Sequence, residues 1–189
     1  MAQAAQNYIS SSEFLLAERS AKEKHELHRG QVVAMAGASL AHNEIVSNLI
    51  GNIKAFLKGK NCRIYPSDLR VSVPTSDSFT YPDASIVCGK PEMIDNQFDT
   101  LTNPSVLIEV MSPSTEQYDR GTKFFYYMQI PSLKEYVLVS SVNQFAQSAT
   151  KQADGSWKFK EINGKAGILL LQTIGHQISF DEIYENVKF

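Results

Sequence analysis

Tyr81-Pro82-Asp83-Ala84-Ser85-Ile86-Val87 and Val106-Leu107-Ile108-Glu109-Val110-Met111 are two strand-like segments, each with one carboxylate among apolar, β-branched neighbours. A charge in such a strand is costly to bury unless something pairs with it, so two of them ask for a shared cation. Ser112-Pro113-Ser114-Thr115 breaks the second strand, and an amphipathic helix follows to about Gln129, carrying Lys123. Two acids, a turn and a lysine are the parts of a metal-dependent hydrolytic site. Adjacent strands would set Asp83 and Glu109 a few ångströms apart, and hard oxygen ligands so spaced suit Mg²⁺ or Mn²⁺. On spacing alone a second reading stands beside this one, in which one acid caps a loop and the other pairs with Arg70 or Lys123.

Upstream, Ser10 and Glu13 form the capping box of a helix expected to run to about His25. Glu26 to Met35 reads as a hairpin turning at Arg29-Gly30. Ile45, Val46, Leu49, Ile50, Ile53, Phe56 and Leu57 have the three-and-four spacing of a helix with one buried face. Cys62 to Tyr65 and Asp68 to Val73 read as strands, the second with Leu69, Val71 and Val73 buried and Asp68, Arg70 and Ser72 on a polar face. Gly89 to Pro104 reads as a polar loop or short helix pinned by Met93, Ile94, Phe98 and Leu101, placed to act as a lid or a substrate contact. Glu135 to Val139 is a further buried strand, Phe145 to Thr150 and Trp157 to Ile162 form a hairpin, and Ser179 with Glu182 caps a terminal helix.

The 189 residues, 43% of them hydrophobic, fit one domain spanning 1–189. A net charge of −2 gives no global pull toward nucleic acid or anionic membrane, and excludes neither. Cys62 and Cys88 are expected as inert core thiols, not as a disulfide or zinc framework. No apolar run approaches the roughly 20 residues of a bilayer span. Met1 to Asn7 also lacks a charged region followed by an apolar stretch, so a cytoplasmic protein without membrane association is expected. There is no phosphate-binding glycine loop with Lys-Ser/Thr and no Gly-x-Ser-x-Gly elbow. His42-Asn43-Glu44 has the His-x-Glu form of a zinc deaminase, but the chain has no Cys-x-x-Cys to complete it. His25 and His28 could share a metal only on a helix, which the Arg29-Gly30 turn argues against.

Taken in order, His25-Glu26-Leu27 before Gly30, His42 at a helix start, Asp68-Leu69-Arg70-Val71, Pro82-Asp83, Ile108 to Thr115, Asp119-Arg120, Lys123 and Glu135-Tyr136 resemble the Uma-type restriction endonuclease family of the PD-(D/E)XK nuclease superfamily. The resemblance implies an α/β (α+β) fold: a restriction-endonuclease-like mixed β-sheet core flanked by helices, with additional antiparallel hairpins. It implies Asp83 and Glu109 as the metal-holding acids, with the Val110 carbonyl as a third ligand. Lys123 would replace the strand lysine, since Met111 stands two residues after Glu109. Glu26 resembles an additional upstream acid, and Asp68 and His42 are further candidates. Val137 and Ser140 depart from the tryptophan and acid usual in the family's Glu-Tyr-Trp-x-x-Asp segment, a difference expected in packing more than in chemistry. The activity implied is Mg²⁺- or Mn²⁺-dependent hydrolysis of DNA phosphodiester bonds, by a homodimer if the superfamily's habit holds. The rivals are a catalytically silent binding module and a metal-dependent hydrolase of a small phosphate substrate.

Overall fold

The computed structural model describes residues 8–189, so the expectation for Met1 to Asn7 lies outside the described residues. The apolar stripe of α2 (Leu40–Phe56) buries Ile45, Leu49 and Ile53 completely or nearly so, and Ser39 caps its first turn. That stripe lies on one face of a six-stranded mixed sheet ordered β11-β10-β9-β8-β6-β3. Its strands are β3 (Cys62–Pro66), β6 (Ala84–Cys88), β8 (Val106–Met111), β9 (Glu135–Ser140), β10 (Phe145–Lys151) and β11 (Trp157–Asn163). Within this sheet, among the described residues, only β8 and β9 pair in parallel.

Alternation along β8 divides the protein. Val106, Ile108 and Val110 join α2, the hairpin β12 (Ile168–Leu171) to β13 (His176–Ser179) and the capped α5 (Phe180–Ile183) in one core. Leu107 and Met111 face a second core under a broken helix: α3 (Glu116–Tyr118), a π-helical turn (Asp119–Lys123) and α4 (Phe124–Tyr127). Glu109, between them, belongs to that second face. A five-stranded sheet ordered β2-β1-β5-β4-β7 flanks it, built from β1 (His25–His28), β2 (Gln31–Ala34), β4 (Arg70–Val73), β5 (Ser78–Thr80) and β7 (Thr100–Leu101). The β1–β2 turn works because Arg29 and Gly30 both take positive φ, 50° and 81°.

Several expectations need correction. The first helix, α1 (Ser11–Glu18), stops well before His25, because Glu18 turns its carboxylate onto the His25 N–H at 2.9 Å and Nδ1 at 3.0 Å. Tyr81, Pro82 and Asp83 precede β6 instead of forming part of it; Pro82 has no N–H, and the Tyr81 N–H goes to Glu26 Oε1 at 2.9 Å. β4 is buried on both faces, with Arg70 held by the Tyr81 hydroxyl, Thr100 Oγ1 and Asp99. The 89–104 segment is pinned by Met93 and Leu101, while Ile94 and Phe98 are exposed. The helix after Pro113 has a π turn at its middle.

Cys62 and Cys88 are likewise not free thiols. Antiparallel pairing sets them directly opposite across β3 and β6, and they are joined by a disulfide that closes a loop of 26 residues. A spacing too long to suggest pairing by itself becomes contact once the register is fixed. Reduction is therefore expected to lower stability by ~3 kcal/mol, the loop-entropy value for a link of this span. Non-reducing peptide mapping checks the link: recovery of both residues as alkylated thiols from unreduced native protein would exclude it.

Candidate active site

Glu109 leaves β8 toward the covering helix and is 4% exposed. The helix answers with Lys123, whose Nζ lies 2.8 Å from Glu109 Oε1, 3.4 Å from Glu26 Oε1 and 3.9 Å from Asp119 Oδ1. Met111 shares the Glu109 face of β8, where a strand lysine would stand, and is packed in the second core. The amine thus arrives at the same carboxylate from the opposing layer. The π turn puts Asp119 and Lys123 on the buried side of the helix together, and such turns recur at functional sites. One turn on, the Tyr127 hydroxyl donates to Glu109 Oε1 at 2.8 Å and lies 3.0 Å from Thr80 Oγ1.

Asp83 enters from the other direction. The β6–β8 ladder ends with Ala84 opposite Ile108, and Asp83 and Glu109 are the next residues beyond that pair. The Val110 N–H, past the end of that ladder, donates to Asp83 Oδ2 at 2.7 Å. His42 Nε2, from the first turn of α2, lies 3.2 Å from the same oxygen, and His42 Nδ1 is buried with no hydrogen-bond partner. Glu26 is saturated: Lys123 and the Tyr81 N–H share Oε1, and His28 Nε2 meets Oε2 at 3.0 Å. His28 in turn contacts the Tyr118 hydroxyl at 3.0 Å.

Charge is out of balance here. Burial pushes the Glu109 carboxyl up to about 8, and Lys123 only partly counters it. Burial also raises Asp83 and Asp119, against the pull of the Val110 N–H on the first and of Lys123 on the second. Glu26 is buried too, but Lys123, His28 and the Tyr81 N–H outweigh burial and hold it down at about 2. Burial alone would lower Lys123; Glu109, Glu26 and Asp119 overcome that and hold its proton firmly. One ammonium thus serves a group of four acids.

Of the residues picked out in the sequence, Asp83, Glu109, Lys123, Glu26, His42 and the Val110 backbone come together. Asp68 does not: it lies outside β4, its side chain 83% exposed and paired with Lys24. His25 and His28 go to different carboxylates, Glu18 and Glu26. Glu135 accepts the Gln172 and Thr173 N–H groups of the β12–β13 turn, away from the cluster. Sequence reading missed the contacts of Asp119, Tyr127, His28 and Tyr118. The four-residue steps from Asp119 to Lys123 to Tyr127 were the available signal, since such residues share a helical face.

The donor set is of the hard-oxygen type. Among the described residues no three His, Cys, Asp or Glu side chains converge into an all-protein cage. One or two carboxylates completed by waters and substrate phosphate is nonetheless the usual provision for Mg²⁺. The residues present fit such an ion, and the charge deficit around Glu109 favours one.

Comparisons with known proteins bear on family and fold. A protein of Synechocystis sp. described as "Uncharacterized protein slr1290" is 37% identical over 182 residues, covering 96% of this chain and 94% of its own. A second, "Uncharacterized protein sll1609", is 32% identical over 157 residues, covering 83% and 89%. A crystal structure from Anabaena variabilis ATCC 29413, described as "a putative nuclease belonging to DUF820", matches with a TM-score of 0.76 over 93% of this chain and 97% of that chain, at 16% identity, a likeness of fold. The family model Uma2, described as "Putative restriction endonuclease", matches residues 11–181, and with that match the chain belongs to the Uma2 family.

Proposed function

We propose that this protein is a divalent-metal-dependent endonuclease hydrolysing DNA phosphodiester bonds. The observation that carries the reading is the convergence of Asp83, Glu109 and Lys123, from three different segments, on one buried point with more carboxylate than ammonium. Family membership supports the reaction class.

Asp83, Glu109 and the Val110 carbonyl would hold Mg²⁺ or Mn²⁺. A bound ion supplies an acidified water and charge neutralisation at the phosphate. The chain's own groups do the rest. Lys123, fixed by Glu26 and Asp119, presents a permanent positive charge where negative charge grows on the phosphoryl oxygens, and its N–H groups orient the attacking water. His42 holds the Asp83 carboxylate in place. Tyr127 fixes Glu109 Oε1.

Cleavage of supercoiled DNA in Mg²⁺ or Mn²⁺ tests this. Asp83→Ala, Glu109→Ala and Lys123→Ala are each expected to reduce it by a hundredfold or more, on the order of the loss when a transition-state contact is removed. Wild-type rates in the Asp83 and Glu109 variants would sink the assignment and favour a silent nuclease-fold module.

Stability should carry the same charge imbalance. Because Glu109 titrates at about 8 in the fold against 4.5 as the ordinary value, the folded state keeps a proton that the unfolded chain loses. This stabilisation is complete below pH 4.5 and is lost as pH rises through about 8, by a few kcal/mol. In chelator the melting temperature is expected to fall across that window, and Glu109→Gln to flatten the fall. Added Mg²⁺ at about pH 8 should stabilise the wild type and not the glutamine variant. Superimposable pH profiles for the two proteins would contradict the account.

A further inference from the structure

On the outer flank of the helix that carries Lys123 lies a cavity of about 170 Å³ that the proposed cleavage chemistry does not use. Cross-strand registers build it. Ala149 of β10 stands directly between Tyr136 of β9 and Phe159 of β11, so a row across three strands reads large, small, large. The missing bulk at Ala149 opens a slot whose two side walls are aromatic. Phe124 roofs it from α4, 5.6 Å from the Tyr136 ring and 5.4 Å from the Phe159 ring. At one end Arg120, from the π turn, donates to Oε1 of Gln147, beside Ala149 on the same strand face, and to Glu116 Oε1 at 2.9 Å, which leaves the remaining guanidinium and amide N–H groups as donors. Phe159 is 52% exposed, so the slot opens to solvent at an aromatic ring.

Size and chemistry restrict the occupant. The volume falls below the roughly 300–1,000 Å³ of pockets that enclose a whole small ligand, which leaves room for one flat ring system whose remainder stays outside. Aromatic walls favour a π face, and the N–H groups of the Arg120–Gln147 end favour a ring edge bearing acceptors. A nucleobase turned out of its strand has this form, with the sugar and phosphate left in water.

We infer that the Tyr136–Ala149–Phe159 slot is a subsite for one unpaired nucleobase, and that the substrate is therefore DNA with single-stranded character in preference to fully paired duplex. The inference rests on the endonuclease reading for the identity of the strand. The slot is one ring layer from the reacting groups: Tyr136 packs against Tyr127 at 5.3 Å, and Tyr127 bonds Glu109. Arg120 and Lys123 also share one π turn, so a base held by the first and a phosphate by the second would belong to the same strand.

Trp157, the one tryptophan of the chain, meets the Phe124 roof edge-on at 5.4 Å and serves as a reporter. With catalysis blocked by chelator, a single-stranded oligonucleotide is titrated against the full-length protein beside a blunt duplex of the same sequence, following Trp157 emission and anisotropy of a label on the DNA. The expectation is tighter binding of the single strand with a change in Trp157 emission. Phe159→Ala, which removes a half-exposed ring, and Ala149→Leu, which fills the slot, should each weaken single-strand binding roughly tenfold, the effect of losing one stacked base, and leave duplex binding little altered. Equal affinities for the two DNAs, or single-strand binding unaffected by Phe159→Ala, would overturn the subsite. Failure of the nuclease reading is separate: it would appear as wild-type cleavage in Asp83→Ala, whatever the slot variants do.

Discussion

The contact between Lys123 and Glu109 joins the two layers on which this protein depends. A glutamate on the inner face of a central strand has no solvent to stabilise it, and its neighbours Leu107 and Met111 supply none of the charge it needs. The covering helix brings the ammonium, and with it Asp119 and Tyr127, so the most polar point of the interior is also where helix and sheet are tied together. Apolar packing around the rings of Tyr127 and Tyr136 then lowers the local dielectric, which makes both the attraction to Lys123 and the repulsion among the acids stronger than they would be in water.

The arrangement is asymmetric. Glu26 has all its partners and stays ionised, whereas Glu109 and Asp83 are raised by burial and repel each other. A group of four acids split in this way has two members, Glu26 and Asp119, that fix the lysine and two, Glu109 and Asp83, with capacity for a further cation. Glu26 is therefore better described as what positions Lys123 than as a ligand in its own right.

Much of this was legible in the chain, for physical reasons that differ from element to element. The α2 stripe, the Arg29-Gly30 turn and the Ser10 and Ser179 capping boxes are local patterns, and local patterns carry their own answer. Asp83 and Glu109 stood out as carboxylates among β-branched neighbours, and the resemblance to the family then singled out Lys123 on the following helix. What escaped were features set by register. Cys62 and Cys88 become partners only when β3 and β6 align, and the cavity at Ala149 exists only when three strands put an alanine between two aromatics. Asp68 failed for the opposite reason: alternation was extended past the true start of β4, and the residue lies outside the strand. The β12–β13 hairpin gave no sequence signal that was recognised, although Gly167 sits where any Cβ would come within 2.4 Å of the Phe180 ring.

The π turn also fixes the length of this part of the chain. A regular α-helix advances about 100° per residue, so a single deletion or insertion between Pro113 and Tyr127 turns everything beyond it by more than a quarter of a revolution. Lys123 and Tyr127 both have to meet Glu109, while Phe124 has to face Tyr136. The wider turn at Asp119–Lys123 adjusts the phase of those two requirements to each other. The spacing from the end of β8 to α4 is thus a counted distance, and homologous chains would tolerate changes of residue type there more readily than changes of length.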